Sequence, residues 1–214
     1  VLNPPDVDRM FLYFPGANDQ FEAADVTDEL LRQVGLLHIG YPPLMRRLYE
    51  DDGAELVRIL RRARDHGVTT ALDLSFPDPE SPGGQADWRA ILAAALPLVD
   101  IFLPSIEELL FMLRRALYER LATHGAIIPQ ISPELLRDLG DELLALGVPL
   151  ALIKLGERGL YLRAGDPARV AANTPIARAA WTERELWHPA FRVAVGATTG
   201  AGDAAIAGFL AALL

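Results

Sequence analysis

The sequence predicts an α/β fold with a mostly parallel central sheet and helices on both faces. Three observations predict it. Short apolar runs alternate with longer amphipathic stretches, the order of βαβ units. Turn signals rich in glycine and proline separate them. One pair of apolar runs is spaced as a hairpin, which places an antiparallel element at a sheet edge.

In chain order, the first strand is predicted over 10–14 and is closed by the turn Pro15-Gly16-Ala17-Asn18, after which 25–34 carries apolar residues at helical spacing. The next strand lies over 36–39. A helix over about 53–66 sets Leu56, Ile59, Leu60 and Ala63 along one side, and Gly67 stands where a C-terminal cap belongs. Residues 68–74 read as a buried strand. The stretch 76–84 holds three prolines and two glycines and is expected to be a loop at that strand's end. A helix resumes over 88–96, a strand follows over 99–103, and after Pro104 a long helix starts near Ser105. Ser132-Pro133-Glu134 offers a capping serine with proline at the first helical position, so a helix runs from there to about 146. Strands over 150–155 and 159–163 flank the turn Gly156-Glu157-Arg158. Residues 165–189 read as irregular, but no composition shift or internal repeat divides the chain, so 1–214 is expected to be one domain.

With 214 residues, 51% of them hydrophobic, the chain can bury a substantial core. The net charge of -9 opposes binding to a nucleic-acid backbone. Arg61, Arg62 and Arg64 read as a solvated helix face rather than a basic patch. The absence of cysteine excludes disulfides, thiolate metal sites and a cysteine nucleophile. The apolar runs 91–98 and 204–214 are too short to span a bilayer, and no signal peptide is visible, so no membrane partner is expected and a cytoplasmic location is the default. The chain lacks an initiating methionine and stops inside an apolar helical pattern, which suggests a fragment of a longer protein. His38, His66, His124 and His188 have no paired metal-ligand spacing. Trp88, Trp181 and Trp187 read as packing anchors.

The chemistry concentrates at 193–214, where an expected strand, Val193-Ala194-Val195, runs through the small-residue turn Thr198-Thr199-Gly200-Ala201-Gly202-Asp203 into a helix. Glycine at 200 and 202 lets backbone approach a ligand, and the N–H groups of a first helical turn face outward with the positive end of the helix dipole. Phosphate oxygens fit that geometry. A carboxylate at Asp203 is favoured there, and phosphoryl transfer suits it: the attacking hydroxyl needs orientation and late proton acceptance more than prior deprotonation.

This turn resembles the second signature of the ribokinase-like (PfkB) carbohydrate kinase family, which ends in Gly-Ala-Gly-Asp like Gly200 to Asp203. Asp8-Arg9-Met10-Phe11 through Asn18 is similar to the family's lid-strand region, 100–108 to the strand before its Asn-x-x-Glu motif, and Ile153-Lys154-Leu155-Gly156-Glu157-Arg158-Gly159 to its nucleotide-binding strand and turn. The resemblance implies a ribokinase-like three-layer sandwich and an ATP-dependent kinase acting on a hydroxyl of a sugar or sugar-like substrate. It implies Asp203 as catalytic base and the backbone of Gly200, Ala201, Gly202 and Asp203 as anion hole. It places Lys154, Gly156, Glu157, Gly159 and Thr199 on the nucleotide, and Glu108 near Mg2+, itself held by phosphates and water. A homodimer is compatible with it.

The family's N-terminal segment and the end of its C-terminal part have no counterpart here, so the acceptor is not readable. Ser105 stands where the family has Asn, and Ser105-Ile106-Glu107-Glu108 is also a capping box. Ala197 stands where many members carry an aspartate that helps bind a monovalent cation, which counts against potassium activation. Asp73, Ser75 and Asp78 lie at a strand's end, where both ligand contacts and turn formation recruit such residues; turn formation is the favoured reading. The competing functions are a nucleoside kinase of the same family, a non-catalytic sugar- or nucleotide-binding protein, and an unrelated doubly wound domain that binds phosphate at the same turn.

Overall fold

The computed structural model describes residues 12–166, 181–195 and 198–213. Among the described residues six strands form one sheet in sequential order: β1 (Leu36–Ile39), β2 (Thr69–Leu72), β3 (Ile101–Phe102), β4 (Leu150–Lys154), β5 (Leu160–Ala164) and β6 (Glu185–His188). The first four are parallel; β5 and β6 are antiparallel additions at one edge. Among the described residues, the helices of eight residues or more are α1 (Ala54–Asp65), α2 (Trp88–Ala95), α3 (Ile106–Leu113), α4 (Arg115–Ala122), α5 (Pro133–Ala145) and α6 (Ala201–Leu213).

The strand pleat sorts side chains between two cores. Ile39, Leu72, Phe102, Ala151 and Ile153 point to the face covered by α1, α2, α3 and α5. The alternate residues Ala71, Ile101, Leu103, Leu150 and Leu152 point to the opposite face, where Ile206, Leu210 and Leu213 of α6 pack. Helices thus cover both faces, as the apolar periodicity predicts. Each fully buried leucine contributes about 1.5–3 kcal/mol to this assembly. Trp88 is buried with its indole N–H on the Gly83 carbonyl at 2.6 Å, and Trp181 meets Phe209 of α6 edge-on, so both act as anchors. Arg62 is tied down rather than free, bonding the Ala23 carbonyl and Asp28.

Several elements differ from the sequence-based expectation. The predicted helix over 25–34 is shortened to Asp28–Leu31, because Val26 leaves helical backbone geometry and Thr27 caps the amide of Leu30. The long helix predicted from Ser105 is two helices. Arg114 breaks it with φ −137° and ψ 53°, and its guanidinium is held by Asp138 and Glu142 of α5. The stretch 165–189 contains β6, whose register on β5 pairs Tyr161 with Trp187; an exposed edge strand gives little apolar pattern to read. Of the strand predicted over 10–14, residues 10 and 11 lie outside the described residues, and 12–14 form no strand. Residues 193–195 are exposed and lie outside the sheet. The match around Asp8 to Phe11 and the departure at Ala197 also fall outside the described residues. Among the described residues no helix is long and apolar enough to cross a membrane.

Candidate active site

In parallel sheets ligand sites form beyond the carboxyl ends of the strands, where loops converge and backbone groups are unpaired. Here those ends deliver Tyr41 after β1, Asp73 after β2, Ser105 and Glu108 after β3, and Lys154 at the end of β4. The turn into α6 arrives at the same edge.

Lys154 sets the centre. Its amide bonds the Pro104 carbonyl at 2.9 Å, a bridge to Ser105 extends the sheet past β3, and its Nζ meets Asp73 Oδ1 at 2.6 Å. The pair is largely shielded, with side-chain exposures of 13% for Lys154 and 2% for Asp73. Burial pushes the Asp73 carboxyl above the usual aspartate range, and Lys154 works against that shift. Ser75, two residues on, keeps a buried hydroxyl that has no hydrogen-bond partner among the described residues. Asp78 instead builds the following loop, accepting the amide of Glu80 at 3.0 Å.

Glu108 is buried at 7% exposure and closes a capping box, accepting the Ser105 amide at 2.7 Å while Ser105 Oγ accepts the Glu108 amide at 3.4 Å. Burial raises its carboxyl above the usual glutamate range; Lys154 and the Ser105 amide oppose the rise. Among the described residues no three His, Asp or Glu side chains converge as a metal site.

The turn is open. Residues 198–204 are all exposed, and Gly200 adopts φ +80°, a left-handed conformation that a side chain would strain. Its carbonyl accepts the first helical amide, from Ala204, at 2.9 Å. The Ala201 amide, one of the expected anion-hole donors, folds back onto the Thr198 carbonyl at 3.1 Å. Thr199 is exposed in the turn. Gly202 lies next to Lys154: a Cβ placed there would stand 3.9 Å from Nζ. Asp203 is exposed, and its Oδ1 accepts the phenol of Tyr41 at 2.7 Å.

The whole chain, residues 1–214, matches the family model described as pfkB family carbohydrate kinase. The chain belongs to the pfkB family of carbohydrate kinases. Solved structures with the same fold include a fructokinase from Xylella fastidiosa with bound ATP, 20% identical with a TM-score of 0.59, matched over 90% of this chain and 48% of that one. A ribokinase from Arabidopsis thaliana complexed with ribose and ATP is 20% identical with a TM-score of 0.56, over 87% and 46% of the two chains. An aminoimidazole riboside kinase from Salmonella enterica, complexed with aminoimidazole riboside and an ATP analogue, is 23% identical with a TM-score of 0.50, over 81% and 45%. The chain therefore spans about half the length of these relatives. A search of curated proteins returned no match.

Within this pfkB chain the expected nucleotide residues separate in space. Lys154 joins the Asp203 side of the sheet edge. Gly156 and Gly159 serve the hairpin: a Cβ on Gly156 would come within 2.9 Å of Ile128 Cδ1, and one on Gly159 would collide with the backbone of His188 and Ala190. Glu157 is exposed between them. Arg158 turns away to the carbonyls of Ile128 and Ile131 and lies over the Trp187 ring. Two residues escaped the sequence reading. Asp73 was weighted toward turn formation yet faces Lys154. Tyr41 went unnoticed, although Gly40-Tyr41-Pro42-Pro43 directly after an apolar strand is a turn signal at the informative end of the sheet.

Proposed function

We propose that this chain carries the phosphoryl-transfer half of a carbohydrate kinase that moves the γ-phosphoryl group of ATP to a hydroxyl of a sugar or sugar-like alcohol. The observation that carries the reading is the exposed turn Gly200 to Asp203 lying beside the Lys154 ammonium at the carboxyl edge of the sheet. A carboxylate, a cation and first-turn helix amides then meet at one open surface, which is what an in-line phosphoryl transfer asks of a protein. The acceptor oxygen attacks Pγ as the bond from Pγ to the β,γ-bridging oxygen breaks, ADP departs, and the acceptor's proton passes to Asp203. Amides of Gly202 and Asp203 would take charge on the equatorial oxygens. Lys154, anchored by Asp73, sits close enough to balance charge on the same group.

Mg2+ would arrive on the triphosphate, with water between it and Glu108, since that carboxylate already caps a helix through one oxygen. Bound there, the ion would supply neutralisation of phosphate charge. The riboside complex among the relatives keeps a nucleoside acceptor as the second reading.

The test is ATP consumption across a panel of sugars and nucleosides by the native protein and by Asp203→Asn. Loss of a proton acceptor is expected to slow turnover by roughly 10²–10⁴-fold. Equal rates for the two proteins would remove Asp203 from the base role; binding of panel members without turnover would favour a non-catalytic binding protein.

A further inference from the structure

We propose that Tyr41 is a positioning residue for Asp203, holding one carboxylate oxygen so that the other faces an incoming hydroxyl. This deepens the phosphotransfer reading and rests on it. The contact joins the end of β1 to the first turn of α6, 162 residues apart in sequence, at 2.7 Å between Tyr41 Oη and Asp203 Oδ1.

The backbone places the ring there deliberately. Tyr41 has φ 60° and ψ 44°, left-handed geometry that an aromatic residue adopts only at a cost. The next turn over-determines it: Pro42 and Pro43 are buried, the Leu44 amide bonds the Tyr41 carbonyl at 2.9 Å, and the Met45 amide bonds that of Pro42 at 3.0 Å. Gly83 closes the far side, since a Cβ on it would come within 2.6 Å of the Pro43 oxygen. The packed backbone therefore fixes where the Tyr41 Cα–Cβ bond points, and the bond to Asp203 holds the half-exposed ring.

The chemistry of the donor also matters. A lysine or arginine in this place would neutralise the carboxylate and weaken it strongly as a proton acceptor; a neutral O–H orients it with a smaller loss of basicity. The neighbouring cation Lys154 is engaged with Asp73. Burial, the bond to Asp203 and the charges of Asp73 and Glu108 all push the phenol well above its ordinary range, so Tyr41 stays protonated and acts as the donor. His38 on β1 faces the same group of charges, feeling Asp73, Lys154 and Asp203. With Oδ1 occupied by the phenol, Oδ2 is the oxygen left to take the substrate proton.

The experiment uses the 214-residue chain labelled at tyrosine ¹³Cζ, in native, Tyr41→Phe and Asp203→Asn forms. The Tyr41 resonance among the five tyrosines is assigned by its loss in Tyr41→Phe. In Asp203→Asn that resonance is expected to shift and its titration to move down toward an ordinary phenol. With an accepted substrate, Tyr41→Phe is expected to lower kcat on the order of 100-fold, the scale of a misplaced reacting group, with KM for ATP unchanged. A Tyr41 signal indifferent to Asp203→Asn overturns the contact whatever the kinase activity. A Tyr41→Phe protein with native kcat overturns the positioning role. Absence of turnover in the native chain, with the Tyr41 signal responding as expected, overturns the phosphotransfer reading instead. Tyr41→Phe removes a single oxygen, and Asp203→Asn keeps an exposed side chain of the same shape, so the spectroscopic arm does not depend on either variant surviving a large packing change.

Discussion

Lys154 and Asp73 stand at the ends of β4 and β2, two strands that never touch, and their ion pair at 2.6 Å spans the tip of the intervening β3. Between them the chain beyond β3 stays paired to both neighbours, Leu103 to Leu72 and Pro104 to Lys154, before Ser105 caps α3.

Removing one member leaves the other buried without its counter-ion, so Lys154→Met is expected to lower stability by about 3 kcal/mol near neutral pH. The orphaned Asp73, whose carboxyl burial already raises, would take up a proton more readily in the folded than in the unfolded chain. The deficit should therefore shrink as pH falls. Lys154→Met combined with Asp73→Asn should lose less than the sum of the single variants. Urea unfolding at pH 5 and pH 7 checks all three statements; additive losses would mean that the pair is not coupled.

Glu108 gives a cleaner pH signature. Its folded-state carboxyl lies above 4.5, so its contribution to stability is complete below that pH and is lost as pH rises through the folded value. Glutamine keeps a capping acceptor and cannot ionise. Relative to Glu108→Gln, the native protein should lose stability as pH climbs from 4.5, read by thermal unfolding of both at matched pH. Parallel curves would show that the burial of this carboxyl has no energetic weight.

The two glycines of the turn should fail in different ways. Gly200→Ala places a side chain at φ +80° and is expected to cost about 1 kcal/mol of stability. Gly202→Ala has room, since its Cβ would meet Lys154 Nζ only at 3.9 Å, and should fold as the native chain does. Its methyl would lie against the Lys154 ammonium at the proposed phosphoryl site, so turnover on any accepted substrate should drop on the order of 100-fold. Thermal unfolding paired with ATP-consumption rates separates the two; an active, stable Gly202→Ala would place the phosphoryl group elsewhere.

Local pattern carried the sequence reading a long way. The alternation of buried strands with amphipathic helices was legible because parallel strands covered on both faces are continuous apolar runs, and helices such as α1 carry a one-sided stripe through Leu56, Ile59 and Ala63. The turn into α6 was legible because glycine spacing and a first-turn aspartate are local requirements of an anion site. Where a rule needed a partner far along the chain, the sequence was silent. The break at Arg114 depends on Asp138 and Glu142 waiting on α5, and β6 exists because β5 offers it an edge. The same holds for the candidate site: which oxygen of Asp203 is held, that Lys154 is anchored by Asp73, and that Tyr41 reaches α6 at all are decided by the convergence of the strand ends at 41, 73 and 154 with the first turn of α6 at 203. A carboxylate's type can be read from one residue, but its orientation is a property of the neighbours that folding brings to it.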